Sequence, residues 1–288
     1  MPEKQITEKQ HYIPQVYLKG FSQDGISIYE YYIKKAGPIP HAVPIESVCR
    51  EKYLYEVRDK SGEIIGINYI ENALCAVEGL FAEHRRLIER KALKANYNCR
   101  CFLSTEEKEF WYFYIALQIL RNPLILSEAK AIVQDSFPEQ FTSNSLNNIA
   151  LAYCLPFFPA DEKRPNAFMA ILSMLLSKKL SVGIADNDSF FTSDIAVYGY
   201  APEGLPAFEY LWFPISSSLV IMLSDPKQID RSQYNRLIPV SAEKVNEVNK
   251  GIAYNANQMI LSKYPFTDTD IKLIEDVRND KAHDEAFM

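Results

Sequence analysis

Glycine is scarce, with 10 residues in 288, and neither Gly-x-Gly-x-x-Gly nor Gly-x-x-x-x-Gly-Lys-Ser/Thr occurs anywhere in the chain. The glycine-rich backbone loops that cradle nucleotide phosphates are therefore excluded. Long apolar runs are missing too. A stretch such as Phe168 to Leu176 falls well short of the ~20 residues that cross a bilayer. Met1 to Gln10 is polar with no apolar run behind it, unlike a secretory signal. A cytoplasmic location with no membrane partner is expected. An excess of positive charge is also lacking: 31 Lys and Arg against 37 Asp and Glu give a net charge of -6. A nucleic-acid partner would thus need a local basic patch. The five cysteines are odd in number and irregularly spaced, which fits reduced thiols better than a disulfide framework. Cys99-x-Cys101 supplies two thiols where a tetrahedral zinc site needs four ligands, so it reads as a strand or loop pair. His-x-His and His-Glu-x-x-His, which gather metal ligands locally, are absent.

What is present is an ordinary globular composition, 48% hydrophobic and 24% charged, enriched in tyrosine (18). A chain of this length can bury roughly three quarters of its unfolded surface. Val16, Leu18 and Phe21 suggest a short helical turn after Pro14. Ile26 to Ile33 alternates as a strand, and Pro38, Pro40 and Pro44 mark a loop. Lys52 to Val57 and Glu63 to Ile65 read as a hairpin around Ser61-Gly62. From Asn68 to about Leu93 the residues Ile70, Leu74, Val77, Phe81, His84 and Ile88 recur at helical spacing. Ser104-x-x-Glu107 is a capping-box pattern opening a helix over Thr105 to Leu120, and Asn122-Pro123 stops or kinks it. Further helices are expected over Leu124 to Phe137, Asn144 to Leu155 and Pro165 to Lys179, the last with proline in its first turn. Short runs then read as strands at Leu180 to Ala185, Phe190 to Thr192, Ala196 to Tyr198, Leu211 to Pro214 and Leu219 to Leu223. Helical spacing returns over Ser241 to Leu261, and Thr267-x-x-Asp270 starts a last helix. The expected fold is α+β: one domain over 1–288, with a helical middle and strands near the N-terminus and in the 180–240 region forming a mixed or antiparallel sheet. The polar leader 1–10 and the charged tail 280–288 are expected to be mobile.

The opening His11-Tyr12-Ile13-Pro14 with Tyr17-Leu18 and Phe21 resembles the start of domain-of-unknown-function family 4238. Ile70-Glu71 with Glu78 looks like that family's helix with paired acids, and Gln118-Ile-Leu-Arg121-Asn-Pro123 like its Gln-x-x-Arg-x-Pro segment. Phe191-Thr-Ser193-Asp194, Phe213-Pro214-Ile-Ser216, Val245-Asn246 through Asn249, and Ala256 to Ser262 resemble later blocks, so the likeness covers nearly the whole chain. One departure is that the family reads Ser-Asp-Asn-Pro-Val where this chain has Ser193-Asp194-Ile195-Ala196-Val197. The resemblance implies a bacterial protein associated with bacterial or phage accessory genes, and it carries no agreed chemistry.

Glu71 and Glu78, seven apart on a helix, project from nearly the same face about 10 Å apart. Burial could raise a carboxyl pKa for acid or base work, or the pair could hold a divalent cation with help from His11 or Asp194. They could equally pair with an arginine such as Arg121. Gln118 and Arg121 share a helix face, where a guanidinium can grip a phosphate or carboxylate or form a structural ion pair. His11 could serve as base, ligand or structural hydrogen-bond donor. Ser193-Asp194 could place a carboxylate at a strand end or form an Asx-type turn. Tyr12, Ser193 and Asn249 complete the candidate ligand-binding set. Arg86, Arg90 and Lys94, with Arg85 and Lys91 beside them, form the concentrated positive stripe and read as a nucleic-acid patch or a solvated face. Two functions follow. One is a metal-assisted phosphodiester hydrolase or other phosphate-ligand pocket, with Glu71, Glu78 and Asp194 on the cation, His11 as base and Arg121 on phosphate. The other is a non-catalytic binding or defence-module protein, meeting a protein partner, whose polar residues form a structural network. They differ in whether these side chains surround one open pocket or are paired and closed off.

Overall fold

The computed structural model describes residues 6–35, 39–94, 99–136, 142–158, 166–187, 189–200 and 209–286. The fold is α+β, with eight α-helices and eleven strands among them. The strands are β1 (Lys9–His11), β2 (Ser27–Tyr32), β3 (His41–Pro44), β4 (Arg50–Lys52), β5 (Lys179–Ala185), β6 (Thr192–Ser193), β7 (Tyr198–Tyr200), β8 (Tyr210–Pro214), β9 (Leu219–Ser224), β10 (Leu237–Val240) and β11 (Met259–Ser262). The helices are α1 (Gln15–Leu18), α2 (Tyr69–Lys94), α3 (Thr105–Leu120), α4 (Pro123–Ser136), α5 (Ser143–Cys154), α6 (Ala167–Leu176), α7 (Ala242–Asn255) and α8 (Asp268–Ala286). None of the described helices is long and apolar enough to cross a membrane.

Instead of one sheet there are three. A five-stranded sheet runs β10-β5-β9-β8-β7, antiparallel except for the β10–β5 pair. A four-stranded antiparallel sheet runs β3-β2-β11-β6, and β1 pairs antiparallel with β4. The four-stranded sheet joins both ends of the chain, because β2 pairs with β11 from Tyr29–Ser262 to Tyr32–Met259. Helical spacing therefore stops short of the expected Leu261: α7 ends at Asn255 and the apolar run after it turns into β11. Pro44 ends a strand rather than a loop, at the sheet's edge, where a missing N–H breaks no ladder. The 52–65 segment is a turn closed by one bridge, Arg58–Ile64, rather than a two-stranded hairpin. The expected strands at Phe190 to Thr192 and Ala196 to Tyr198 fall slightly later, as β6 and β7. Gln10, expected in a mobile leader, lies buried in β1, and α8 carries helix through the expected mobile tail as far as Ala286. Pro165 lies outside the described residues, and Asn166 caps α6 through a bond from the Met169 N–H.

Helix α3 is the centre of the molecule. Its Trp111, Tyr114, Ile115, Ala116, Leu117 and Leu120 are buried, as expected of a helix covered on most sides rather than along one stripe. The capping box forms as its residues require: the Glu107 N–H donates to Ser104 Oγ, and the Glu107 carboxylate accepts from the Ser104 N–H. Glu107 also takes an ion pair at 2.7 Å from Lys91, which fixes the end of α2 to the start of α3. Around α3 the rings interlock. Tyr17 stacks on Phe213 with centroids 5.4 Å apart, and Phe81 stacks on Tyr114 at 4.6 Å. The Tyr17 hydroxyl then bridges two sheets, donating to the Pro214 carbonyl and sharing a 2.7 Å bond with Thr192 Oγ1.

Within the five-stranded sheet Gly183 lies where a Cβ would stand 2.6 Å from Val240 Cγ2 and 2.7 Å from Val220 Cγ1. Gly183→Ala should therefore lower stability in urea unfolding by about 1–3 kcal/mol, and adding Val240→Ala should recover part of it. An unchanged midpoint would mean that the strands part here at little cost.

Candidate functional site

Candidate residues meet on two sides of the dipeptide His11-Tyr12, where the chain leaves β1 for α1. Buried carbonyls in such a segment need donors, and α3 supplies them. Arg121 Nη2 donates to the His11 carbonyl at 2.7 Å, and Gln118 Nε2 to the Tyr12 carbonyl at 2.9 Å. The helix places both side chains on one face, three residues apart, as the spacing predicted.

On the His11 side the centre is Arg121, 1% exposed. Its Nη1 forms an ion pair with Glu78 at 2.9 Å, and its guanidinium lies 5.7 Å from the Tyr55 ring centroid. The Tyr55 hydroxyl donates back to the Arg121 carbonyl at 2.9 Å. Burial pulls the Arg121 pKa down, but Tyr55, Glu78 and Tyr114 outweigh it and the group stays charged. Glu71 shares this environment without a partner: its Oε2 is buried and unbonded. Burial raises its carboxyl from 4.5 to about 7, with Glu78 and Glu56 adding to the rise and Arg121 opposing it. His11 is pushed to about 4, chiefly by burial, with a hydrogen bond to the Glu46 backbone acting against the shift. Its imidazole is therefore neutral near pH 7.

On the Tyr12 side lies Asp194, 2% exposed. Its two carboxylate oxygens accept the N–H groups of Asn257 at 3.0 Å and Gln258 at 2.8 Å, which form the turn from α7 into β11. Its carbonyl accepts from Asn122 Nδ2 at 2.8 Å. Burial raises the Asp194 pKa against these hydrogen bonds. Tyr12, Asn122, Asp194 and Gln258 line a cavity of about 170 Å³, below the roughly 300 Å³ at which small-ligand pockets begin.

Glu71, Glu78 and Arg121 thus come together around the backbone of His11, and Gln118 and Tyr12 adjoin them. Asp194 does not complete a cation site. No group of three His, Cys, Asp or Glu side chains is arranged to hold a metal among the described residues, and the Asp194 oxygens are taken by main-chain donors. Ser193 forms a local turn, its Oγ donating to the Ile195 carbonyl and accepting the Ile195 N–H. Asn249 on α7 clamps the 189–191 backbone, accepting from the Phe191 N–H and donating to the Ser189 carbonyl. The positive stripe is split. Arg85 turns inward to the Val16 carbonyl and Lys91 to Glu107, which leaves Arg86, Arg90 and Lys94 on the outer face. Cys99 and Cys101 are both free and exposed, in a turn.

Sequence reasoning missed three contributors. Gln10 spans Glu56 Oε1 and the Tyr55 N–H, each at 2.7 Å, and with Tyr55 and Glu56 it closes the network from below.

The network is drawn from the N-terminal segment, α2, α3 and the β6–β11 region, so its members are spread across almost the whole sequence. Residues 9–265 match the family described as Protein of unknown function (DUF4238). The chain belongs to this family. No curated protein and no solved structure matches it. Of the residues that carry the DUF4238 likeness, Tyr17, Gln118, Arg121 and Asp194 are each buried and each bonded to a distant stretch of chain.

Glu71 yields a pH test. Its carboxyl is raised in the folded protein, so the native state holds the proton more tightly and stability falls as pH rises from about 4.5 to 7. Glu71→Gln, which stays neutral, should match wild type in Tm near pH 4.5 and exceed it at pH 8. Equal Tm differences at both pH values would show that Glu71 ionises normally.

Proposed function

We propose that this DUF4238 protein is a non-catalytic binding protein, cytoplasmic and part of a bacterial defence or stress module, whose family-matching polar residues form a structural network. The observation that carries the reading is the enclosure of Arg121. Its guanidinium is 1% exposed and is held by Glu78 and the His11 carbonyl. A phosphodiester could reach it only by breaking a buried ion pair, which is strongly unfavourable. The bonding of Asp194 to two main-chain N–H groups supports the same view, since a cation would have to compete with both.

One observation favours the phosphodiester-hydrolase reading, with Mg²⁺ or Mn²⁺ as the divalent cation. Glu71, with a free carboxylate oxygen and a pKa near 7, has the properties of a general acid or base. One pair of measurements separates the two. Arg121→Met should cost about 3–5 kcal/mol of stability, as loss of one partner of a buried pair does, and wild type should not hydrolyse bis(p-nitrophenyl) phosphate with either ion. Metal-dependent turnover that disappears in Glu71→Gln would establish the hydrolase instead.

A further inference from the structure

Two turns along α2 from Glu78, the short turn after α1, the C-terminal half of α2 and the loop between β8 and β9 line an open cleft of about 450 Å³, within the range of small-molecule sites. Its charge is opposite to that of the chain. Lys19, Arg85 and Lys263 line it against one carboxylate, Glu89, in a protein of net charge -6. The opposite wall is a run of three hydroxyls, Ser216, Ser217 and Ser218.

This wall and the arginine are built features. Ser216 is 7% and Ser217 1% exposed. The Ser217 N–H donates to the Gly20 carbonyl, and Ser216 Oγ accepts the N–H groups of Ser218 and Leu219. The Arg85 side chain, 12% exposed, is fixed by a 2.8 Å bond from Nη1 to the Val16 carbonyl. Its Nε is buried without a hydrogen-bond partner, although Glu89 lies 3.4 Å away. Gly20 permits the close approach of these walls, because a Cβ there would stand 2.7 Å from the Ile215 carbonyl oxygen and 2.9 Å from Arg85 Nη1.

We propose that this cleft binds a small phosphorylated molecule, with Arg85, Lys19 and Lys263 on the phosphoryl oxygens and the Ser218 hydroxyl beside them. A phosphoryl group brings several acceptor oxygens and two negative charges, matching three cations and a hydroxyl wall. Glu89, half-buried beside Arg85, opposes the ligand and sets an upper bound on affinity at neutral pH. The inference deepens the binding reading by naming the ligand class.

The test is isothermal titration of the full chain with inorganic pyrophosphate at low and high salt. One-to-one binding that weakens with salt is expected. Lys19→Gln with Lys263→Gln should weaken it by about tenfold or more, the order of one charge-assisted hydrogen bond, while Glu89→Gln tightens it. These three positions are at or near the surface, so retained Tm will show that the variants fold. No binding, or binding indifferent to all three substitutions, would overturn the site. Tighter, substitution-sensitive binding of a single-stranded oligonucleotide than of pyrophosphate or AMP would overturn the small-molecule class in favour of nucleic acid. Release of inorganic phosphate during the titration would overturn the non-catalytic reading while leaving the site in place.

Discussion

A cation enclosed at the middle of a fold imposes conditions on everything near it. Removing a guanidinium from water is very unfavourable unless a counter-charge and several acceptors are delivered to it. Arg121 obtains Glu78 from α2, the His11 carbonyl from the N-terminal segment and the face of the Tyr55 ring. Those three groups belong to separate stretches of chain. If any is misplaced, a buried charge is left uncompensated, so the network selects one arrangement of these stretches as well as stabilising it. That arrangement positions the α1 turn, and through it Tyr17, which ties the two larger sheets together.

The polar character of the family pattern follows from the same constraint. A regular strand or helix satisfies its own carbonyls. The junction from the short β1 to the one-turn α1 leaves carbonyls that neither element satisfies, and these must be met by side chains or water. Gln118, Arg121 and Arg85 each donate to a carbonyl between His11 and Tyr17. Residues that look like the components of a catalytic centre in a one-dimensional reading therefore also make bonds that backbone pairing does not supply. Their scatter along the chain, which suggested a site assembled from distant parts, has the same origin.

What could be read from the sequence divides along physical lines. Helices α2 and α3 were legible because their apolar spacing and the Ser104–Glu107 box are local signals, and the shared surroundings of Glu71, Glu78 and Arg121 followed from helical geometry plus opposite charge. Strand β11 was not legible, since Met259 to Ser262 continues the apolar spacing of α7 and only pairing with β2 and β6 makes it a strand. The role of Asp194 was hidden because its partners are main-chain N–H groups, which no side chain announces. Gln10 was hidden because a buried glutamine in a polar leader has the same neighbours in sequence as an exposed one.

The pairing of β2 with β11 has a consequence for how the protein comes into being. Chains are made from the N-terminus at a finite rate, and β2 emerges long before its partner β11. Throughout synthesis β2 carries an open edge of unpaired N–H and C=O groups, protected on one side only by the short β3 and offering a template to other chains. The closing step spans nearly the entire chain, the kind of long-range contact that slows folding. An intermediate that lacks β11 thus carries an exposed strand beside the helices and the five-stranded sheet already made, so the shielding of that edge bears on yield alongside the stability of the finished fold.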